Sequence, residues 1–319
     1  MTVIETAEAN LQPVQLKFLL GELLLGSWRP QLVVADPQDF GTPGWPDPPE
    51  VLHAALPATA DGFLCRKVEA NRFRPGIGRY GNFIRYIRYR DVLYYVELTG
   101  NFDSYLKKFS AKTRQNLSRS VRRFIERTPG SNACEIFTSP SEMHRFQAEA
   151  SAISKETYQT LLLDSGLPAS PDFLKRMISL AEQGNARGYL LRDGDRAIAF
   201  AWCRRKGKTM VYDTIGYLPE CANMSPGTVL LYLILENVFK DGGANIFDFG
   251  PGEAQYKSMF ATHRREFVDT YLFRSTLRNY LVTSLHYGLS SLSSMIGAAL
   301  DRVGVKKHIK QLIRKIKAN

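Results

Sequence analysis

The sequence predicts an α/β fold built on a mixed sheet, and three observations carry that prediction. Residues 188–192, 197–205 and 209–217 are short apolar, β-branched or aromatic runs joined by Asp193-Gly194-Asp195 and Lys206-Gly207-Lys208, and such glycine-centred junctions make hairpin turns. Residues 226–240 are apolar on almost every side, through Val229, Leu230, Leu231, Tyr232, Leu233, Ile234, Leu235, Val238 and Phe239, which marks a central, buried helix. Residues 246–249 then read as a short buried strand, stopped by Gly250-Pro251-Gly252 because neither glycine nor proline sustains a ladder or a helix.

The remaining elements follow in order. Residues 14–25 form one expected helix, ahead of Trp28. Pro30, Pro37, Pro43, Pro46, Pro48, Pro49 and Pro57 predict a loop over 36–57. Residues 65–68, 83–90 and 92–98 are strand candidates, and Arg85, Arg88 and Arg90 alternate with Ile84, Tyr86, Ile87 and Tyr89 to give a sheet with a basic face. Residues 102–127 predict a helix that Asp103 caps and Ser104 begins. Leu117, Val121, Phe124 and Ile125 are its buried stripe, and Lys107, Lys108, Lys112, Arg114, Arg119, Arg122, Arg123 and Arg127 crowd the rest. Charge runs commonly just solvate a face, but one this one-sided repels itself and favours an anionic neighbour.

Thr128-Pro129-Gly130 is the expected domain boundary. Beyond it come a strand at 134–137, helices at 140–154 and 171–182, and a strand around 267–273. The tail, 276–319, differs in kind. Leu281, Leu285, Leu289 and Leu292 space one helix, and Ile309, Leu312, Ile313 and Ile316 stripe a second that is ringed by lysine and arginine. A basic amphipathic helix of that sort can lie on an anionic membrane or dock on its own protein. The expected domains are therefore 1–130, 131–275 and 276–319.

Composition bounds the function classes. At 319 residues the chain can hold two domains of ordinary size or one large one, and 44% hydrophobic content is enough for packed cores. Cys65, Cys134, Cys203 and Cys221 are scattered without CxxC spacing, which points to free thiols in a reducing compartment rather than a disulfide or zinc framework. The apolar patch 18–25 is too short to span a bilayer and the N-terminus lacks a basic leader region, so a cytoplasmic protein is expected, with peripheral contact at the inner face of a membrane as an option for the tail. A net charge of +11 favours an anionic partner: nucleic acid, a phosphorylated substrate or cofactor, or a membrane surface. The five histidines form no HExxH or HxH spacing, so no metal site is expected. Gly207-Lys208-Thr209 mimics the end of a phosphate loop, but Trp202 stands where the first glycine is required.

The chemistry-bearing stretch is 246–257, where Glu253, Tyr256 and Lys257 bring an acid, a phenol and an amine together just past a strand end. Open α/β sheets place their ligands there. Upstream, Ser225-Pro226-Gly227 supplies a cap residue and a first-turn proline to the buried helix.

Three blocks in this order, GYLLRDGDRAIAFAW, MSPGTVLLYLILENVFKDGG and IFDFGPGEAQYK, resemble the CelD-like branch of GNAT acyltransferases, and FSAKTRQNLSRSVRRF resembles that family's Arg-rich helix. The resemblance covers roughly residues 85–275. It implies tandem GNAT-like halves, the first degenerate, and acyl transfer in cellulose or exopolysaccharide synthesis, with kinship to Fem-type peptidoglycan aminoacyltransferases. An acyltransferase must deprotonate its acceptor and stabilise a developing oxyanion. On that reading Glu253 is the base, Lys257 holds negative charge as the family's lysine does, and Tyr256 protonates the leaving thiolate. Without catalysis, Glu253 is a first-turn acid favoured by the helix dipole, Tyr256 is packing, and Asp248 is structural.

The family's coenzyme A loop, Arg/Gln-x-x-Gly-x-Gly/Ala, is replaced here by Asn223-Met224-Ser225-Pro226-Gly227-Thr228. Helix-start N–H groups at Ser225, Gly227 and Thr228 can still receive phosphate, so the donor is acetyl-CoA or another acyl-CoA, with a carrier protein or aminoacyl-tRNA as alternatives. Lys112, Arg114, Arg119 and Tyr158 are the residues expected to hold the acceptor, an envelope or exopolysaccharide sugar or its phosphorylated precursor. Two competing readings are Fem-like aminoacyl transfer, with tRNA as partner, and a non-catalytic assembly factor held at the membrane by its tail.

Overall fold

The computed structural model describes residues 11–21, 23–35, 48–127, 133–157 and 166–302. In chain order its strands are β1 (Leu11–Pro13), β2 (Leu16–Leu20), β3 (Leu23–Trp28), β4 (Gln31–Ala35), β5 (Gly62–Glu69), β6 (Gly76–Tyr80), β7 (Phe83–Glu97), β8 (Cys134–Phe137), β9 (Ala186–Asp193), β10 (Arg196–Lys206), β11 (Thr209–Tyr217), β12 (Ile246–Pro251) and β13 (His263–Arg274). Its helices are α1 (Pro49–Ala55), α2 (Phe102–Leu106), α3 (Ala111–Arg127), α4 (Met143–Glu156), α5 (Pro171–Glu182), α6 (Pro226–Asp241), α7 (Gln255–Phe260) and α8 (Leu277–Arg302). The fold is mixed α/β, as the strand runs and the buried helix predict. Among the described residues no helix is long and apolar enough to cross a membrane.

The chain packs as two compact units. One is formed by Val92–Arg265, the other by the segments before and after it. The division falls within β7 and β13; Thr128, Pro129 and Gly130 lie outside the described residues.

In the Val92–Arg265 unit the sheet order is β7-β12-β11-β10-β9-β8. β8 through β11 are antiparallel neighbours, whereas β11 and β12 run parallel. Helices cover both faces, and two adjacent residues of β9 show why. A Cβ on Gly188 would sit 2.6 Å from the Phe146 ring of α4, while the Tyr189 hydroxyl donates to Asn237 Oδ1 on α6 at 2.9 Å. Neighbours on a strand point to opposite faces, so α4 and α6 sandwich the sheet. Trp202, Phe146, Phe200 and Phe247 are fully buried in this core.

In the other unit the strand order is β1-β4-β5-β13-β7, with β6 paired to β7. Phe63, Phe83, Leu272 and Phe273 are buried on its two sides. The β2–β3 hairpin packs against α8.

Three local expectations are corrected. Residues 14–25 form the β2–β3 hairpin instead of a helix: Gly21 takes φ +63° at the turn, a conformation glycine reaches without strain. Within the expected proline loop, 49–55 fold as α1, because Pro49 stands at the first helical position, where its missing N–H costs nothing. The basic helix is broken into α2 and α3, and Asn101, not Asp103, caps the first piece by accepting the Ser104 N–H at 2.8 Å.

Candidate active site

β11 and β12 are paired only over Thr209↔Ile246, Met210↔Phe247 and Val211↔Asp248. Beyond those pairs β11 runs on to Tyr217 and β12 to Pro251, so the two strands part toward their carboxyl ends. A bulge helps them part: Trp202 pairs with Thr214 and Cys203 with Tyr212, leaving Asp213 as the extra residue, and bulges bend and twist the strand that carries them. Carboxyl ends of diverging parallel strands are where such sheets take ligands.

On the β11 side, the Leu218–Met224 turns lead into the N-terminus of α6. Ser225 there is left-handed, at φ +51°, with no side-chain cap. Pro226 has no N–H, and the N–H groups of Thr228 and Val229 both donate to the Ser225 carbonyl, at 3.0 and 3.1 Å. The Gly227 N–H is the first-turn donor not spent on that carbonyl. The exposed Ser225 hydroxyl and the half-buried Gly227 therefore offer two donors at a positive helix end. Tyr217 stands beside them, its ring carbon 3.6 Å from where a Gly227 Cβ would be.

On the β12 side, the Gly250-Pro251-Gly252 turn is held at every corner. Buried Asp248 accepts the Gly250 N–H through Oδ1 at 2.8 Å, and the Gly252 N–H donates to the Val92 carbonyl at 3.0 Å. The buried Lys257 ammonium donates to the carbonyls of Gly250 at 3.2 Å and Pro251 at 2.6 Å. Gly250 and Gly252 lie at φ +73° and +92° with open space where a Cβ would go, so backbone conformation rather than crowding requires glycine there.

This fastened turn presents the two remaining candidates differently. Tyr256 is half-buried, its ring edge-on to Phe249 at 6.2 Å, and burial pushes its phenol up to about 12. The hydroxyl is thus protonated at neutral pH and able to donate. Glu253 is open to solvent, with 72% of its side chain exposed, and lies 3.6 Å from Arg264. A pair that exposed contributes little to stability.

The basic segment begins beside the end of α7. Lys108 donates to the Met259 carbonyl at 3.0 Å and to the Ala261 carbonyl, and the buried Tyr105 hydroxyl donates to the Phe260 carbonyl at 2.6 Å. α3 starts three residues after Lys108 and packs on α6 through Leu117, Val121 and Phe124. Lys112 and Arg119 are exposed and Arg114 half-buried. Tyr158 lies outside the described residues. Sequence reasoning missed Tyr217 and the Tyr105–Lys108 clamp. A strand-final aromatic ahead of a helix start was the available signal for the first, and nothing local signalled the second.

Residues 111–258 match the family model of the acetyltransferase (GNAT) domain. Over that span, which is under half of the chain, the sequence resembles a GNAT acetyltransferase domain. The matched span runs from the basic helix through Lys257, so both walls of the parted strands lie inside it, and the domain is that of an acyltransferase. Among solved structures, FemX is similar at 12% identity over 88% of this chain and 92% of that one, with a TM-score of 0.51. L-PGS from Bacillus licheniformis is similar at 16% identity over 75% and 76%, with a TM-score of 0.48. At 12% identity the likeness to FemX is one of fold. Comparison with curated proteins finds no match.

Proposed function

We propose that the chain transfers an acyl group from a thioester donor, acetyl-CoA or another acyl-CoA, to a hydroxyl or amine of an envelope or exopolysaccharide sugar or its phosphorylated precursor. The observation that carries this reading is the parting of β11 from β12 next to a helix N-terminus and a half-buried, protonated phenol. On its β12 side, β11 from Tyr212 to Tyr217 has no ladder partner among the described residues, so an amide-bearing arm could add there as a strand does. The Gly227 N–H and Ser225 hydroxyl would hold a phosphate of the donor. An acyl-CoA supplies the activated acyl carbon as its thioester.

The chain's residues do the rest. Glu253 takes the proton from the acceptor as the acceptor atom bonds to the acyl carbon. The carbon–sulfur bond breaks, and Tyr256 gives its proton to the departing thiolate. Lys257 sets the turn that carries both and adds positive charge at its base. Lys112, Arg114 and Arg119 would hold the acceptor's phosphates by charge-assisted bonds, and Tyr158 is a further candidate. The resemblance to the CelD-like branch supports a sugar acceptor at the cytoplasmic face of a membrane, with the basic tail drawn to that surface.

A second reading is aminoacyl transfer of the Fem type, from a tRNA-borne donor. Its support is the run of cations on α3 and a fold likeness to FemX that extends across 88% of this chain. Thiol release from acetyl-CoA in the presence of sugar-phosphate acceptors separates the two. Turnover that Glu253→Gln lowers at least tenfold supports the first reading, and aminoacyl-tRNA consumption with no thiol release supports the second.

A further inference from the structure

Helix α8 is inside-out in polarity. Its inward side carries Asn279, Thr283 and His286, all buried. Each is satisfied: Asn279 Nδ2 donates to the Arg274 carbonyl at 3.0 Å, the Thr283 hydroxyl to the Asn279 carbonyl at 2.7 Å, and His286 Nδ1 lies 2.5 Å from the Tyr86 hydroxyl. Its outward side carries Leu277, Leu281, Leu285, Leu292 and Met295, and Leu277 and Met295 are 76% and 70% exposed. Steps of three, four and seven residues put these on one stripe. A helix left in water has the opposite arrangement.

A second exposed apolar element is tied to the same helix. Leu23, Leu24 and Leu25 of β3 are exposed, and the hairpin turn is tied to α8 by the Gly21 N–H, which donates to Ser293 Oγ at 2.9 Å. Exposed leucines thus stand on two elements that are tied to each other, and exposed apolar surface of this kind marks protein or membrane contacts.

We infer that this face of α8 and the leucines of β3 dock on an anionic lipid bilayer. Three observations favour a bilayer over a protein partner. Leu23 and Leu24 are successive strand residues and point to opposite faces; a flat protein surface covers one of them, whereas fluid hydrocarbon surrounds both. Residues 277–296 contain no Asp or Glu, and Glu22 is the one acid of 16–28, so little opposes an anionic surface. The chain after α8, residues 303–319, holds six cations (Lys306, Lys307, Lys310, Arg314, Lys315 and Lys317) and no acid. Each cation near an anionic surface adds attraction. The inference concerns only this face and is independent of which acyl group the chain transfers.

The test is flotation of the full chain with phosphatidylglycerol-containing vesicles and with pure phosphatidylcholine vesicles, alongside the double variant Leu24→Asp/Leu285→Asp. The expected result is flotation with the anionic vesicles only, reduced at least tenfold in the double variant with unchanged circular dichroism. A Leu24→Trp reporter, which does not depend on the double variant folding, should show blue-shifted emission quenched by lipids brominated on their acyl chains. Absence of flotation, equal binding to neutral vesicles, or reporter emission that the brominated lipids leave unquenched overturns the proposal. So does a lipid-free dimer by light scattering that Leu285→Asp dissolves, which would assign the face to a second copy of the chain.

Discussion

Lys257 donates its ammonium to the carbonyl of Pro251 at 2.6 Å, closing the turn that ends β12 from the first helical turns beyond it. A lysine expected to meet substrate charge is thus also the clamp of its own turn, since the Gly250 carbonyl accepts from the same nitrogen. Hydrogen bonds from a charged donor are stronger than neutral ones, and this donor is itself buried.

Lys257→Met should therefore lower stability by about 1.5–3 kcal/mol, the range for losing a hydrogen bond to a charged group. Equilibrium denaturant unfolding measures it, and Lys257→Arg should recover part of the loss. A variant as stable as the parent would show that the clamp is dispensable.

Tyr256→Phe removes only a hydroxyl, so the fold should persist. Loss of a positioned proton donor should lower kcat by about 10²-fold with KM nearly unchanged. Because burial holds the phenol up at about 12, the parent's rate should show no alkaline loss attributable to Tyr256 below about pH 10, the ordinary phenol value. Stability has a matching sign: the unfolded phenol ionises near 10 while the folded one stays protonated, so Tyr256's contribution is complete below pH 10 and lost as pH rises toward 12.

His286 gives the acid side. Burial, with Arg88 nearby, pushes its imidazole below the usual 6.5, against a bond to the Lys17 carbonyl that acts the other way. The unfolded chain then binds the proton first. Stability is fully present above pH 6.5 and falls as pH drops through the lowered value. Thermal melts between about pH 7 and about pH 5 should show this decline, and His286→Gln should flatten it.

Much of the Val92–Arg265 unit was legible. Asp193-Gly194-Asp195 and Lys206-Gly207-Lys208 name their own turns, and a helix apolar on every side, like α6, can only be central. The N-terminal hairpin was not, because Phe18, Leu19, Leu20, Leu23, Leu24 and Leu25 are apolar in runs that fit neither period; Gly21 alone decided it. In α8 the leucine spacing announced a helix correctly, but which side faces inward depended on partners for Asn279, Thr283 and His286, of which Tyr86 is far away in sequence. The basic second tail helix expected at 305–319 lies outside the described residues. At the site, Glu253, Tyr256 and Lys257 could be picked out by residue type. That Lys257 points back at the Gly250 and Pro251 carbonyls, and that Glu253 stands beside Arg264, could not, since both follow from how the turn folds.

The measurement that tests the central claim most directly is calorimetric titration of the chain with acetyl-CoA, beside Gly227→Glu. A Cβ at 227 meets Tyr217 at an ordinary 3.6 Å, and an acid in a first helical turn is favourable, so the variant should fold while repelling phosphate. Micromolar binding by the parent, weakened at least tenfold in the variant, is the predicted result. No binding by the parent, or equal binding by both, would contradict a coenzyme A thioester site at the start of α6.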